Sequence, residues 1–131
     1  VVKLIYFCHA PNDRAIAEKV YFGLKQKGLM CWIPSQDIRD GQSYAEATVT
    51  AIEKSDIVVL IYSANSNTST QIIHELQKAT SQNKFIIPFI IDTEKPSELI
   101  EFYLSGSYKV DATTGFLQDN INKLENVVKQ I

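Results

Sequence analysis

Short apolar runs alternate with amphipathic stretches along the chain, and that alternation sets the expected elements. Val2 to Cys8 reads as a strand, and Asn12 or Asp13 can cap a helix whose apolar stripe is Ile16, Val20 and Leu24. Gly28 ends that helix, and Leu29 to Ile33 forms a second, shorter strand. A polar loop follows from Pro34 to Gln42. Ser43 and Glu46 then make an S-x-x-E capping box, opening a helix that turns Ala45, Val49 and Ile52 inward. Asp56 to Tyr62 is a strand of another kind. Ile57, Val58, Val59, Leu60 and Ile61 are apolar without a break, the pattern of a strand covered on both faces.

Ser63 to Ser69 is a loop rich in Ser and Asn, leading to a helix from about Thr70 to Gln82. Phe85 to Ile91 is the fourth strand. Pro96 can open a short helix that runs through Leu104 and stops at Gly106, and Tyr108 to Val110 is a weak last strand. Thr113 or Thr114 caps a final helix with Leu117, Ile121, Leu124 and Val128 inward. Strands and helices joined by short links imply right-handed crossovers with helices on both faces of a sheet. The expectation is one flavodoxin-like α/β domain over residues 1–131. It has a parallel sheet of about five strands in the order 2-1-3-4-5 and a crevice at the carboxyl ends of strands 1 and 3.

Composition narrows the function classes. Apolar residues make up 45% and charged residues 21%, which places the chain among ordinary globular domains rather than disordered ones. With a formal net charge of −2 and no basic stripe, nothing attracts a nucleic-acid backbone or an anionic membrane surface, and neither is expected as a partner. Cys8 and Cys31 fall in strand-like runs and read as two reduced thiols in a reducing, cytoplasmic compartment. The longest apolar run, Ile86 to Ile91, is too short to span a bilayer. The chain opens in a strand without Met, so it is expected to be cut from a longer protein that carries a further, regulatory domain.

Three segments converge on the crevice: Cys8 to Asp13, the loop from Pro34 to Tyr44, and Ser63 to Ser69 with the first turns of the helix carrying Gln71 and Glu75. On that helix Ile72, Ile73, Leu76 and Ala79 define the apolar stripe. Glu75 falls about 100° from the stripe's centre, with Gln71 one turn earlier and His74 nearly opposite. A carboxylate at that border can look into the crevice. It can equally be a solvated glutamate paired with Lys78. The other acids have local explanations: Glu46 in its capping box, Asp13 in a first helical turn, Asp37 as a turn former. His9 is either a substrate contact or a strand-end residue, and Trp32 either a substrate platform or core. No G-x-x-x-x-G-K-[ST] phosphate loop, G-x-G-x-x-G dinucleotide fingerprint or serine nucleophile elbow is present. Tyr62-Ser63 ends the third strand where a phospho-accepting aspartate would stand in a receiver domain.

Taken together, these segments resemble the TIR (Toll/interleukin-1 receptor) domain, in particular its bacterial members found in antiphage defence effectors. Ile5 to Asp13 looks like the family's first box, with Cys8 where serine is usual and Asn12 where an acid is common. Cys31-Trp32-Ile33 followed by Asp37 to Gly41 looks like the second box and its mobile BB loop. Ser63 to Ser66, Ser69 and Glu75-Leu76 resemble the segment bearing the catalytic glutamate, and Phe85 to Pro88 fits the fourth strand. Gln71 stands where enzymatic members often carry tryptophan, and Phe102-Tyr103-Leu104 is the candidate for the third box.

The resemblance implies an NAD+ glycohydrolase of bacterial immunity, cleaving the nicotinamide–ribose bond to give nicotinamide and ADP-ribose or a cyclic form. NAD+ is then the substrate; no separate cofactor and no metal is expected. Glu75 is the catalytic candidate. His9, Ala10, Ile38, Arg39, Gly41, Ser43 and Tyr44 are expected to shape the nicotinamide and ribose pocket, with Trp32, Ser63, Ser69 and Gln71 as further substrate-binding candidates. Self-association through the BB loop is expected to activate the enzyme, leaving the isolated domain weakly active. Two other readings stand beside this one. The first is an interaction module that signals by TIR–TIR contacts and makes no product; the second is a glycosyl-transferring enzyme of the nucleoside deoxyribosyltransferase kind.

Overall fold

The structure, a computed structural model, describes residues 3–106 and 108–131. The aliphatic runs form five strands: β1 (Leu4–His9), β2 (Met30–Trp32), β3 (Ile57–Tyr62), β4 (Phe85–Ile90) and β5 (Val110–Asp111). They pair in the order β2-β1-β3-β4-β5, and every pairing is parallel. This is the predicted flavodoxin-like arrangement. Among the described residues there are six α-helices: α1 (Arg14–Gln26), α2 (Pro34–Asp37), α3 (Tyr44–Lys54), α4 (Thr70–Ser81), α5 (Glu98–Leu104) and α6 (Leu117–Gln130).

Strand periodicity divides the core in two. Ile5, Phe7, Ile57, Val59, Ile61, Ile87 and Phe89 point to the face packed by α1 and α6, through Val20, Leu24, Ile121 and Leu124. Tyr6, Cys8, Val58, Leu60 and Tyr62 point to the opposite face, packed by Ile52, Ile72, Leu76 and Ile100 from α3, α4 and α5. β3 lies between the two cores and is buried at every position, which accounts for its unbroken apolar run.

Several local expectations change. The loop from Pro34 opens with the single turn α2, because Pro34 supplies a ready first helical residue and Asp37 secures the turn through its side chain. Ala64–Thr68 forms a 3₁₀ turn rather than an open loop, capped by reciprocal bonds between Ser63 and Ser66. On α3 the inward residues are Ala47, Thr48, Ala51 and Ile52, while Ala45 and Val49 are exposed. Thr48 can be buried because its hydroxyl donates to the carbonyls of Tyr44 and Ala45, so apolarity alone misjudged the phase of the stripe. Ser97, following Pro96, caps α5. The last strand starts at Val110, and the last helix starts after Phe116 instead of at Thr113 or Thr114. Thr113 is held by the Asp111 carboxylate, which turns the chain there and delays the helix. Val2, predicted to open the first strand, lies outside the described residues.

Among the described residues, no helix is long and apolar enough to cross a membrane. Cys8 is buried and Cys31 half-buried, both free thiols. Burial pushes the Cys31 thiol up to about 12.

Candidate functional site

Ser69 ends the 3₁₀ turn in extended backbone, and its hydroxyl accepts the Ile72 amide, which starts α4 beside the carboxyl edge of the sheet. The helix then turns Ile72, Glu75, Leu76 and Ala79 inward. Glu75 is only 6% exposed. The border position expected from the sequence is therefore corrected to an interior one. The stripe is centred closer to Glu75 than its apolar members indicate, and Ile73 is only partly buried. The alternative of a solvated glutamate paired with Lys78 is also overturned, since Lys78 pairs with Glu53 on α3 at 3.3 Å.

Both carboxylate oxygens of Glu75 are taken. The Tyr6 hydroxyl donates to Oε1 at 2.6 Å, and the Gln71 amide donates to Oε2 at 2.9 Å. The Tyr44 hydroxyl lies 3.5 Å from Oε2 and itself receives a bond from the Gln71 amide. Burial pushes Glu75 above the ordinary carboxylate range; Tyr6, Gln71, the Cys8 thiol and the imidazole of His9 oppose that shift by stabilising the anion. The same burial, with the charge of Glu75 beside it, raises the Tyr6 phenol and the Cys8 thiol, so both stay protonated. Tyr44 is raised for the same two reasons. The result is a carboxyl group in a dry setting surrounded by neutral donors, which in its ionised form can stabilise a cation that forms beside it.

Trp32 reaches the site through Tyr6. The two rings stack at 5.4 Å between centroids and 16° between planes, so one face of the indole is occupied by the phenol ring. Outside Glu75, a groove of about 390 Å³ runs between α3 and α4, lined by Tyr44, Val49, Gln71, His74 and Glu75 among others. A larger depression of about 1050 Å³ lies where β4 and β5 end, lined by Asp92, Lys95, Phe102, Lys109 and Asp111 among others, and shares no residue with that groove.

The remaining candidates fall into distinct places. The His9 Nδ1 sits 2.7 Å from the Ala10 carbonyl at the end of β1, and Ala10 is buried. Ser43 caps α3 by accepting the Glu46 amide at 3.2 Å, which is half of the expected box; among the described residues no bond from the Ser43 amide to the Glu46 carboxylate completes it. Arg39 and Gly41 are exposed in the loop leading to Tyr44, with Ile38 half-buried at its root. Gly41 sits at φ 82°, a conformation that favours glycine. Among the described residues, no hydrogen bond ties Ile38, Arg39 or Gly41 to Glu75. Ser63 belongs to a separate buried cluster, donating to the Asp13 carboxylate at 2.5 Å while Asn65 donates to its other oxygen at 3.1 Å.

Sequence reasoning missed Tyr6. It lies inside an apolar strand and reads as core, although a buried tyrosine hydroxyl needs a partner, and that need was the available signal.

No relative matches among curated protein sequences. Solved structures that share the fold over nearly the whole chain include three of different kinds. One is the TIR domain of the Toll-related receptor TRR-2 from Hydra magnipapillata, with a TM-score of 0.73 and 19% identity over 96% of this chain and 95% of that one. The TIR domains of the activated Roq1 resistosome, recognising the pathogen effector XopQ, give a TM-score of 0.79 and 14% identity over 96% and 99%. The CMP N-glycosidase BcmB of Clostridium botulinum gives 0.64 and 18% identity over 94% and 99%. At these identities the likeness is one of fold. The model of the TIR domain family matches residues 5–128, from the first strand to the end of α6, and this chain belongs to that family.

Proposed function

We propose that this TIR domain cleaves an N-glycosidic bond, with NAD+ as substrate and Glu75 as the catalytic group. The observation that carries the reading is a single buried carboxylate, held by neutral donors at the floor of a groove beside the carboxyl edge of the sheet. Nicotinamide leaves a pyridinium as a neutral molecule, so no general acid is needed. The ribosyl centre becomes oxocarbenium-like as the bond breaks. A desolvated carboxylate stabilises that charge more strongly than a hydrated one would. Water then bonds to the ribosyl carbon and releases a proton, so the products are nicotinamide and ADP-ribose; a nucleophile within the substrate taking the place of water gives the cyclic form. The N-glycosidase with the same fold supports the reaction class. The TIR domains of an activated resistosome that recognises a pathogen effector support activation by self-assembly, here through the loop from Ile38 to Ser43, exposed from Arg39 onward, and a role in immunity, with a cytoplasmic setting as part of the proposal. A further domain in a longer protein would set the trigger.

The test is to incubate concentrated protein with NAD+, with and without a crowding agent, beside Glu75→Ala and Glu75→Gln. Nicotinamide release that rises with concentration and falls at least about a hundredfold in both variants supports the reading. Full activity in a folded Glu75→Gln protein overturns it.

One observation favours a second reading. Tyr44 and Gln71 cover the outer oxygen of Glu75, while the loop before Tyr44 stays exposed, which suits a module acting through TIR–TIR contacts alone. NAD+ left intact by protein that has been forced to assemble would favour it.

A further inference from the structure

We infer that Tyr6 is the positioning residue of this site, its phenol setting both the orientation and the charge of the Glu75 carboxylate. The inference rests on the glycosidase reading for its kinetic consequence but not for its structural content.

The two donors on Glu75 differ in kind. Gln71 is half-buried on the groove side and shares its amide with Tyr44, so an incoming hydroxyl can replace it. Tyr6 is fully buried, and its 2.6 Å bond comes from beneath, out of a strand. β1 is paired on both sides, Tyr6 lying opposite Trp32 on β2 and Val58 on β3, so its backbone is fixed. The Trp32 ring lies flat against the phenol ring and restricts its tilt. Glu75 has three rotatable side-chain bonds, and this contact, with the buried Cys8 thiol beside it on the same strand, is out of reach of a ligand in the groove.

A tyrosine also suits the charge. Its proton stays on at any working pH, so it can always donate to the carboxylate, and a charge-assisted O–H···O bond favours the ionised carboxylate. A phenylalanine would fill the same space and keep the stack while leaving Oε1 of a buried anion without this donor. The titratable groups around Glu75 are Tyr6, Cys8 and His9 from β1, Tyr44 from α3, and His74 and Lys78 along α4. Among the described residues, the Tyr6 hydroxyl is the group whose hydrogen bond reaches Oε1, and the Cys8 thiol adds to the stabilisation of the anion.

The experiment is a carboxyl-carbon NMR titration of Glu75 in wild type and Tyr6→Phe, with the pH profile of NAD+ cleavage measured on the same samples. Tyr6→Phe is expected to raise the Glu75 midpoint by about one unit. The acid limb of kcat should move with it, and kcat should fall about tenfold or more while KM stays within about threefold. Should Tyr6→Phe fail to fold, a stronger donor replaces it: site-specific Tyr6→3,5-difluorotyrosine is expected to lower the midpoint. An unchanged midpoint in a folded variant overturns the inference, as does a lowered midpoint in Tyr6→Phe. If wild type leaves NAD+ intact while the midpoint still moves, the inference holds and the catalytic reading falls.

Discussion

The phenol of Tyr6 and the carboxylate of Glu75, 69 positions apart in the chain, meet at 2.6 Å inside the core on the α3–α4 side of the sheet. A strand supplies the donor and a helix the acceptor, and the two make a polar contact among Val58, Leu60, Ile72 and Leu76. Burying an anion in such a place is costly, and the bonds from Tyr6 and Gln71 offset part of that cost without removing it. The upward shift of Glu75 is what remains.

That residual cost has a sign that can be measured. The folded-state pKa of Glu75 lies above its ordinary value of 4.5, so between the two the native state binds more protons than the unfolded chain. Stability from this group therefore falls as pH rises through that window, and is fully recovered only below it. Glu75→Gln has no such dependence. Its Tm is expected to exceed that of wild type by a few degrees at neutral pH, with the gap closing as the pH approaches 4. Calorimetry at a series of pH values checks this; a gap that widens toward acid would show the shift to be downward.

The two outer donors should rank by geometry. Gln71 donates to Oε2 at 2.9 Å, whereas Tyr44 stands 3.5 Å away. Gln71→Ala is expected to raise the Glu75 midpoint clearly, and Tyr44→Phe to leave it within about 0.3 units. The same NMR titration decides. A larger effect from Tyr44→Phe would reverse the ranking.

The Asp13–Ser63 contact joins the segments that follow β1 and β3. Asp13 is buried, and Asn65 also donates to it. Asp13→Ala is expected to cost about 1–3 kcal/mol, because two donors lose a charged acceptor. With Ser63→Ala added, the double variant should lose less than the sum, with a coupling of about 0.5–3 kcal/mol by urea unfolding. Simple additivity would mean that the short bond contributes nothing.

The root of the exposed loop is held by two carboxylates. Asp37 Oδ2 accepts the Ile33 amide at 2.9 Å and the Tyr21 hydroxyl at 2.8 Å, tying α2 to α1. Beside it, Glu18 accepts from Ser35 at 2.6 Å and Gln36 at 3.0 Å. Asp37→Ala is expected to destabilise the domain by about 1–3 kcal/mol and to speed amide exchange at Ile38 to Gln42 while β3 stays protected. Equal loss of protection in both regions would mean that Asp37 secures the whole domain rather than the loop.

How far the sequence went can be traced through these residues. The five strands, their parallel pairing and their order follow from apolar runs broken by Gly, Pro and capped helices, because hydrophobic period and short links leave few ways to pack a chain of this kind. Ser43 as a cap and Glu75 near the carboxyl edge were legible for the same reason: both depend on spacing within a few residues. The burial of Glu75 was not legible. It depends on where the helix axis sits over the sheet, and a polar residue on the inward side looks, in one dimension, like the edge of the stripe. Tyr6, Asp13 and Asp37 were hidden more completely, since each meets partners supplied by other elements. The chain by itself determined the sheet, because burial of alternating and continuous apolar runs is a local property summed along it. Only the tertiary structure decided which carboxylate is dry and which hydroxyl holds it, because desolvation and hydrogen bonding depend on distances that packing alone sets.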